Sequence, residues 1–175
     1  MFNFNFYNPT RIVFGKDRLK ELDNLIPQEA RVLVLYGGGS AKGFGTLAKV
    51  ITSLGDRRFF EFGGIEPNPQ YNTLMKAVEI VKRDGIDFLL AVGGGSVMDG
   101  TKFIALASNY TGERASDLLL NRSVCRQIKE ATPLGTVVTL PATGSEMNAQ
   151  GVISFEDGKY GFGSKLVFPK FSILD

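Results

Sequence analysis

The chain has 175 residues, of which 43% are hydrophobic and 22% charged, which suits one globular domain with its own core. Twenty basic and 18 acidic residues give a formal charge of +2 with no basic stripe, so we expect no nucleic-acid partner. No apolar stretch approaches the roughly 18 residues of a membrane span, and the single cysteine fits a reducing compartment, so we expect a cytoplasmic protein.

Strands and helices alternate in the first half of the chain. The N-terminal "MFNFNFYNP" alternates aromatic residues with asparagine, which predicts a strand and not a signal peptide. A second short strand follows Pro9, and "KDRLKELDNLI" then has apolar residues at helical spacing. The apolar run "RVLVLY" (31–36) predicts a strand buried on both faces, followed by an amphipathic helix that ends near Leu54. "RRFFEF" (57–62) predicts the next strand.

The second half continues the alternation. "PNPQYNTLMKAVEIVKRDG" predicts a helix that Asn68 caps, with Pro69 in the first position and Gly85 at the end. A buried strand "DFLLAV" (87–92), a helix "SVMDGTKFIALASN" and a strand "GTVVTL" (135–140) follow. Strands that alternate with amphipathic helices predict βαβ units. We therefore expect an α/β fold with a Rossmann-like parallel sheet flanked by helices.

The C-terminal part differs from this pattern. In "GVISFEDGKYGFGSKLVF", the dipeptide Asp157-Gly158 lies between two β-rich arms. Such a dipeptide is a strong signal for a two-residue turn, so we expect a β-hairpin near the C-terminus.

Two copies of the tetrapeptide GGGS follow buried strands, at residues 37–40 and 93–96. In a parallel sheet the carboxyl edge is where ligands bind, and the amides that open the next helix attract phosphate. A single such turn is explained equally well by the preference of tight turns for glycine, but two at equivalent positions favour a ligand. Neither copy is the usual G-x-G-x-x-G fingerprint.

Polar residues near these turns have both a structural and a functional interpretation. Asp99 would cap the helix that it opens or accept hydrogen bonds from a ribose, and both roles are compatible. Residues 37–45 contain no Asp or Glu but include Ser40 and Lys42, so a ribose 2′-phosphate would meet no like charge there. Lys42 is equally well explained as a solvated surface lysine.

The segment "TLPATGSEMN" (139–148) should reach the same edge of the sheet. Thr139, Thr143 and Ser145 can donate hydrogen bonds to phosphate or ribose oxygens, although Thr143-x-x-Glu146 also fits a capping box. Ser145 is a poor nucleophile candidate because the chain offers it neither a G-x-S-x-G elbow nor a base. In "FGGIEPNP", Asn68 can also reach the ligand edge.

The sequence contains no histidine, which constrains the chemistry of the chain. Ser-His-Asp and Cys-His sites are excluded, and a catalytic zinc site is almost excluded because such sites usually need imidazole. Cys125 has no histidine partner and is predicted to be a small buried apolar residue. We therefore assign no catalytic residue and no metal ligand to this chain.

The ordered motifs "GGGS", "FGGIEPNP", "GGGSVMDGTK" and "TLPATGSE" together resemble the iron-containing (group III) alcohol dehydrogenase family, in its NADPH-dependent butanol dehydrogenase and aldehyde reductase branch. The likeness runs from "FYNPTRIVFG" to "SILD". It implies a dehydroquinate-synthase-like architecture, in which an N-terminal α/β domain binds NADP(H) against a helical domain. It also implies a homodimer, formed partly through the N-terminal strands.

The resemblance also implies which residues contact the cofactor. Near the adenosine ribose and its 2′-phosphate it places Gly37, Gly38, Gly39 and Ser40. At the pyrophosphate and the nicotinamide ribose it places Gly94, Gly95, Ser96 and Asp99. The cofactor wall is completed by Thr139, Leu140, Thr143 and Ser145, with Lys159 near the ribose.

This chain departs from the family in its metal site. Members hold a divalent metal, iron or zinc, with one Asp and three His of the helical domain, and none of those histidines is present here. Residues 1–175 are therefore expected to be the NADP(H)-binding domain of an alcohol dehydrogenase or aldehyde reductase, with the helical metal-binding domain absent and the isolated chain inactive. The alternative is a stand-alone or vestigial nucleotide-binding module without catalysis.

Overall fold

The computed structural model of the chain describes residues 3–39, 43 and 45–175. Within these residues there are eight strands: β1 Arg11–Phe14, β2 Val32–Gly37, β3 Phe59–Ile65, β4 Phe88–Gly93, β5 Leu134–Val138, β6 Gln150–Phe155, β7 Gly158–Gly163 and β8 Phe171–Leu174. Six of them form one parallel sheet in the order β1-β8-β5-β4-β2-β3, and β6 pairs with β7. The predicted parallel sheet and the hairpin are both confirmed.

The described helices connect these strands. They are α1 Leu22–Leu25, α2 Thr46–Leu54, α3 Tyr71–Asp84, α4 Gly95–Ala107, α5 Asp117–Leu120 and α6 Arg122–Gln127. Three short 3₁₀ turns span Arg18–Glu21, Ser145–Met147 and Lys165–Val167. None of these described helices has the length and apolarity that a bilayer-spanning segment needs.

The sheet is covered on both faces by separate apolar clusters. One cluster joins α3 and α4 to the sheet through residues such as Leu74 and Phe103. The other joins α1 and α2 to the opposite face through residues such as Leu22 and Val50. Strands β4 and β5 are buried along their full length, which explains why they are almost continuously apolar.

The N-terminal strand that the sequence predicts is not found in the described residues 3–8, which form no regular structure. Phe4 and Phe6 are 85% and 72% exposed. Alternating aromatic residues suit a pleated surface, but a strand also needs a partner strand, and the edge strand β1 pairs only with β8. The segment "KDRLKELDNLI" contains less α-helix than predicted, because it forms one 3₁₀ turn followed by the single turn of α1.

Two turn predictions are wrong in detail. Helix α3 begins at Tyr71, with Gln70 before it, so Asn68 does not cap it. The backbone of Asn68 has a φ of +59°, and its side-chain oxygen Oδ1 accepts a hydrogen bond from Lys159 Nζ. The hairpin turn consists of residues 156 and 157, one residue earlier than predicted, because Gly158 already pairs with Phe155. Gly85 does end α3, with a φ of +61°.

Gly135→Ala is expected to destabilise the fold. Gly135 lies on β5, where an added Cβ would overlap the ring of Phe171. That ring is 1% exposed and stacks on Phe88 with centroids 6.1 Å apart, so it has little room to move. We expect the free energy of unfolding to fall by about 2–3 kcal/mol, as for other overpacked cores. Urea unfolding measures this loss, with Gly38→Ala as the control because an added Cβ there meets no atom of the described residues within 4 Å. Equal stability of the two variants would contradict the prediction.

Candidate cofactor-binding site

The glycines that open the two GGGS turns lie side by side at the carboxyl edge of the sheet. Strands β2 and β4 are neighbours with Tyr36 opposite Val92, so Gly37 and Gly93 end adjacent strands. The segment after β5 joins the same edge, because the Thr139 amide donates to the Gly93 carbonyl at 3.0 Å. The edge that the sequence predicts to bind a ligand is therefore formed by three neighbouring strands.

The glycines of these turns fall into two groups. An added Cβ at Gly93 would lie 2.6 Å from Val97 Cγ2, so packing within the chain requires glycine there. At Gly95 it would lie 2.9 Å from Thr143 Oγ1, so that side chain would have to move. At Gly38 and Gly39 an added Cβ would meet no described atom within 4 Å. The second group thus leaves open space through which a ligand can approach the backbone.

Gly94 precedes the first residue of α4 in the second turn. It is the N-cap of α4, it carries no side-chain cap, and a Cβ there would come no closer than 3.8 Å to the Leu140 carbonyl. The first amides of a helix have no partner within it, and the positive end of the 13-residue helix dipole lies at the same place. These donors fit a pyrophosphate.

Asn68, Ser96 and Lys159 come together beside this turn. Lys159 on β7 donates from Nζ to the side-chain oxygen Oδ1 of Asn68 at 2.8 Å, and the backbone N–H of Asn68 donates to Ser96 Oγ at 3.4 Å. The hairpin is also tied to the segment before α3, because the Ser154 amide donates to the Pro69 carbonyl at 2.9 Å. The structure therefore brings Lys159 to the glycine edge, although it is distant in sequence from both turns.

Asp99 does not cap α4. The helix begins at Gly95, so Asp99 lies beyond the first turn, and the capping interpretation is wrong. Its Oδ1 accepts from the Ser145 hydroxyl at 2.6 Å, and its Oδ2 accepts from the Val152 amide at 3.0 Å. Asp99 thus joins α4 to the 3₁₀ turn at Ser145 and to β6.

The capping box predicted at Thr143 is also wrong. Gly144 precedes the 3₁₀ turn with a φ of +73°, and no side chain caps it. Thr143 and Leu140 are exposed, and Leu140 is 67% exposed, so both can contact a ligand. Ser145 is only 1% exposed and contacts Asp99 instead. Ser40 and Lys42 lie outside the described residues.

Lys102 is a functional candidate that the sequence interpretation missed. It lies in the middle of α4, is 0% exposed, and its Nζ donates to Ser145 Oγ at 2.8 Å, Asn148 Oδ1 at 2.9 Å and the Gln150 carbonyl at 2.9 Å. Burial lowers the pKa of Lys102 to about 8, against the opposing effects of Asp99 and Glu146. A lysine among the apolar residues of a buried helix was the available signal.

The contact with Lys102 corrects one point about Ser145, which does have a basic group within hydrogen-bond distance. Serine and lysine together form a known nucleophile pair. Here both side chains are buried, at 1% and 0% exposure, so a substrate has no access to Ser145 Oγ. Ser145 remains a poor nucleophile candidate, now because of its burial.

A cavity of about 860 Å³ adjoins this network on the hairpin side. Asp99, Thr143 and Val152 line one part of it, and Arg122 and Arg126 on α6 line another. The cavity is therefore continuous with the predicted cofactor edge, and its volume is within the range of small-molecule sites.

The described residues contain no group of three His, Cys, Asp or Glu side chains placed to hold a metal ion. Cys125 is 1% exposed, and its thiol donates to the Leu118 carbonyl at 3.1 Å. Burial raises the pKa of this thiol, which favours its neutral form. The prediction that Cys125 is a small buried apolar residue is confirmed.

Comparison with known proteins identifies relatives along the whole chain. The family model for iron-containing alcohol dehydrogenase matches residues 9–175. The NADPH-dependent aldehyde reductase YqhD of Escherichia coli is 52% identical over 177 residues, covering 100% of this chain and 46% of that protein. A probable NADH-dependent butanol dehydrogenase of Bacillus subtilis is 49% identical, again with 100% and 46% coverage.

Solved structures agree with this result. The crystal structure of Escherichia coli YqhD superposes with a TM-score of 0.93 at 52% identity, covering 99% of this chain and 45% of that one. The NADH-dependent butanol dehydrogenase A of Thermotoga maritima gives a TM-score of 0.89 at 40% identity, with 99% and 44% coverage. The chain thus spans a little under half the length of the relatives that it matches.

Proposed function

The chain belongs to the iron-containing alcohol dehydrogenase family, and from this premise we propose that it is the NADP(H)-binding part of an alcohol dehydrogenase or aldehyde reductase. The reaction would be hydride transfer between NADP(H) and a primary alcohol or aldehyde. The observation that carries the proposal is the pair of glycine turns on adjacent strands β2 and β4, next to the open N-terminus of α4. Two phosphate-binding elements at that spacing suit a dinucleotide better than a single phosphate.

The described residues fit this cofactor. Gly38, Gly39 and Gly94 leave room for phosphates and ribose against the backbone, and the amides that open α4 are donors without a side-chain partner. Lys159 adds a positive charge at the same edge through its contact with Asn68. The bound nicotinamide supplies or accepts the hydride, and these residues bind and orient it.

NADP(H) rather than NAD(H) is proposed from the first turn. Residues 37–45 include no carboxylate that would bond a ribose 2′-hydroxyl and repel a 2′-phosphate. Among the relatives, the Escherichia coli protein is named for NADPH and the Bacillus subtilis protein for NADH, so family membership alone does not decide the preference. The open space at Gly39 favours the phosphorylated cofactor.

A divalent metal, iron or zinc, belongs to the proposed full-length enzyme and not to this chain. The donor set does not fit a metal here, because the sequence has no histidine and the described residues form no carboxylate or thiolate cluster. A helical domain is proposed to hold the metal, and residues 1–175 are proposed to be the cofactor domain.

Two further parts of the proposal concern the setting of the protein. We propose a homodimer, in keeping with the family resemblance of the sequence. We also propose a cytoplasmic location, which the single buried cysteine supports because it needs no oxidising compartment.

The second candidate function is a stand-alone nucleotide-binding module. The absence of a metal-binding cluster among the described residues favours it for the isolated chain. It shares the cofactor site with the first candidate and differs in catalysis alone.

Titration of the 175-residue chain with NADPH, followed by cofactor fluorescence, tests the proposal. We expect saturable binding, with NADPH preferred to NADH, and no oxidation of 1-butanol by NADP⁺ with or without added Fe²⁺ or Zn²⁺. Sedimentation of the same sample tests the dimer. Absence of binding at millimolar NADPH would refute the cofactor site, whereas metal-dependent turnover would refute the expected inactivity.

A further inference from the structure

Lys102 forms a fully satisfied but unusual contact set. An ammonium group has three N–H donors and no acceptor, and here three acceptors surround it: Ser145 Oγ, Asn148 Oδ1 and the Gln150 carbonyl. These partners lie on the 3₁₀ turn, on the residues that follow it and at the start of β6. One buried charge therefore joins α4 to the segment that leads into the hairpin.

The charge of Lys102 also sets the direction of a hydrogen bond. Because the ammonium cannot accept, Ser145 Oγ must accept from Lys102, and its own proton is then donated to Asp99 Oδ1 at 2.6 Å. The second oxygen of Asp99 accepts the Val152 amide at 3.0 Å. The result is a directed chain from Lys102 through Ser145 to Asp99, which also holds β6.

This network lies directly behind the cofactor edge. Asp99 and Val152 line the 860 Å³ cavity, while Lys102 does not. A ligand in this cavity would therefore contact Asp99 and would not contact Lys102 directly.

We propose that Lys102 is a positioning residue for the dinucleotide: its ammonium fixes the Ser145 hydroxyl toward Asp99 and holds β6 against α4. The inference rests on the proposed function, since it takes the cofactor to bind beside Asp99. A neutral amine has a lone pair and one N–H fewer, so Ser145 can turn to donate to it. Asp99 would then lose its hydrogen bond from the Ser145 hydroxyl. The cofactor site would also lose a positive charge near an anionic ligand.

The charged groups that act on Lys102 are Asp99, three residues before it on α4, and Glu146 on the 3₁₀ turn. Strands β4, β5 and β6, which pack against α4, carry no titratable side chain. Charged residues of α3 are exposed or half-buried. The remaining titratable groups on elements in contact with α4 are Tyr36 on β2, Glu61 on β3, Tyr71 on α3 and Lys165 on the last 3₁₀ turn.

The expected pH dependence follows from charge. An anionic dinucleotide stabilises the charged lysine, so binding favours the protonated form and affinity falls as pH rises above about 8. The fall should reach about tenfold if the bound cofactor raises the pKa of Lys102 by one unit. The 2′-phosphate has a second pKa of about 6 and stays dianionic throughout this range.

The experiment is isothermal titration of the chain with NADPH between pH 7.0 and 9.5, for wild type, Lys102→Arg and Lys102→Met. Wild type should lose affinity above pH 8. The arginine variant stays charged and should bind within a few-fold of wild type at pH 7 with a flat profile. The methionine variant should bind about tenfold more weakly at every pH and also show a flat profile. Lys49→Met, which removes an exposed lysine of α2, should keep the wild-type profile.

The outcomes separate the two proposals. A wild-type dissociation constant that stays flat to pH 9.5 would overturn the positioning role and leave the cofactor site intact. A wild type that does not bind NADPH at pH 7 would instead overturn the proposed function. If circular dichroism shows that Lys102→Met does not fold, the wild-type and Lys102→Arg profiles still decide. If the arginine variant lost NADPH affinity above pH 8 as the wild type does, Lys102 would be excluded as the cause of that loss.

Discussion

Gly39→Asp is expected to weaken NADPH binding by about 100-fold and to bring NADH to equal or tighter affinity. An added Cβ at Gly39 meets no described atom within 4 Å, so the described part of the chain leaves room for a side chain there. A carboxylate there would face the 2′-phosphate proposed for this turn, and like charges at close range cost several kcal/mol. About 2.7 kcal/mol corresponds to the expected 100-fold change. The same carboxylate can accept a hydrogen bond from the 2′-hydroxyl of the adenosine ribose of NADH.

Fluorescence titration of both cofactors measures this change, and Gly39→Asn is the matched control. Asparagine has nearly the volume of aspartate but no charge, so it should weaken NADPH only a few-fold. Equal NADPH affinity in the two variants would show that charge at residue 39 does not select the cofactor.

Arg57→Met is expected to lower the free energy of unfolding by about 2–3 kcal/mol, because it removes the hydrogen bonds of a charged and almost fully buried side chain. The Arg57 side chain is 1% exposed. Its guanidinium donates to the carbonyls of Asp23, Ile26, Pro27 and Leu54 at 2.6–3.2 Å, and it pairs with Asp23 Oδ1 at 2.9 Å. It therefore ties the carbonyls at the ends of α1 and α2 together. Methionine would remove all of these side-chain hydrogen bonds, including the one from Nη2 to the carbonyl of the buried residue Ile26.

Urea unfolding of three variants tests this role. Arg57→Lys keeps the charge but not the planar fork of donors, so an intermediate loss is expected. Asp23→Asn should cost much less than Arg57→Met, because the Asp23 side chain is 61% exposed and contributes one partner of several. A larger loss for Asp23→Asn than for Arg57→Met would mean that the ion pair matters more than the carbonyls.

The sheet was predictable from the sequence because its signals are local. Strands such as β4 are buried on both faces, so "DFLLAV" is apolar at nearly every position, and both β2 and β4 end in glycine. The two GGGS turns could be placed at one edge for the same reason. In a parallel sheet, the ends of successive strands meet on one side.

The contacts of the site could not be predicted in the same way, because they join distant parts of the chain. Asn68 has the composition of a helix cap, but its side chain bonds Lys159, 91 residues later. Lys102 and Ser145 are 43 residues apart, and Asp99 and Val152 are 53 apart. Capping rules describe neighbours in sequence, and here tertiary partners outcompete them.

The neighbouring positions of β1 and β8 have a consequence for the order of folding. Arg11 pairs with Phe171, and the side chain of Asp175 accepts the amides of Asp17 and Leu19 at 3.0 and 2.9 Å. During synthesis, β1 emerges first and its partner emerges about 160 residues later. This edge of the sheet must therefore close last, after a long loop has been ordered, which predicts slow folding. Until then, the exposed aromatic residues Phe4 and Phe6 precede an unpaired strand, which is the kind of segment that chaperones bind.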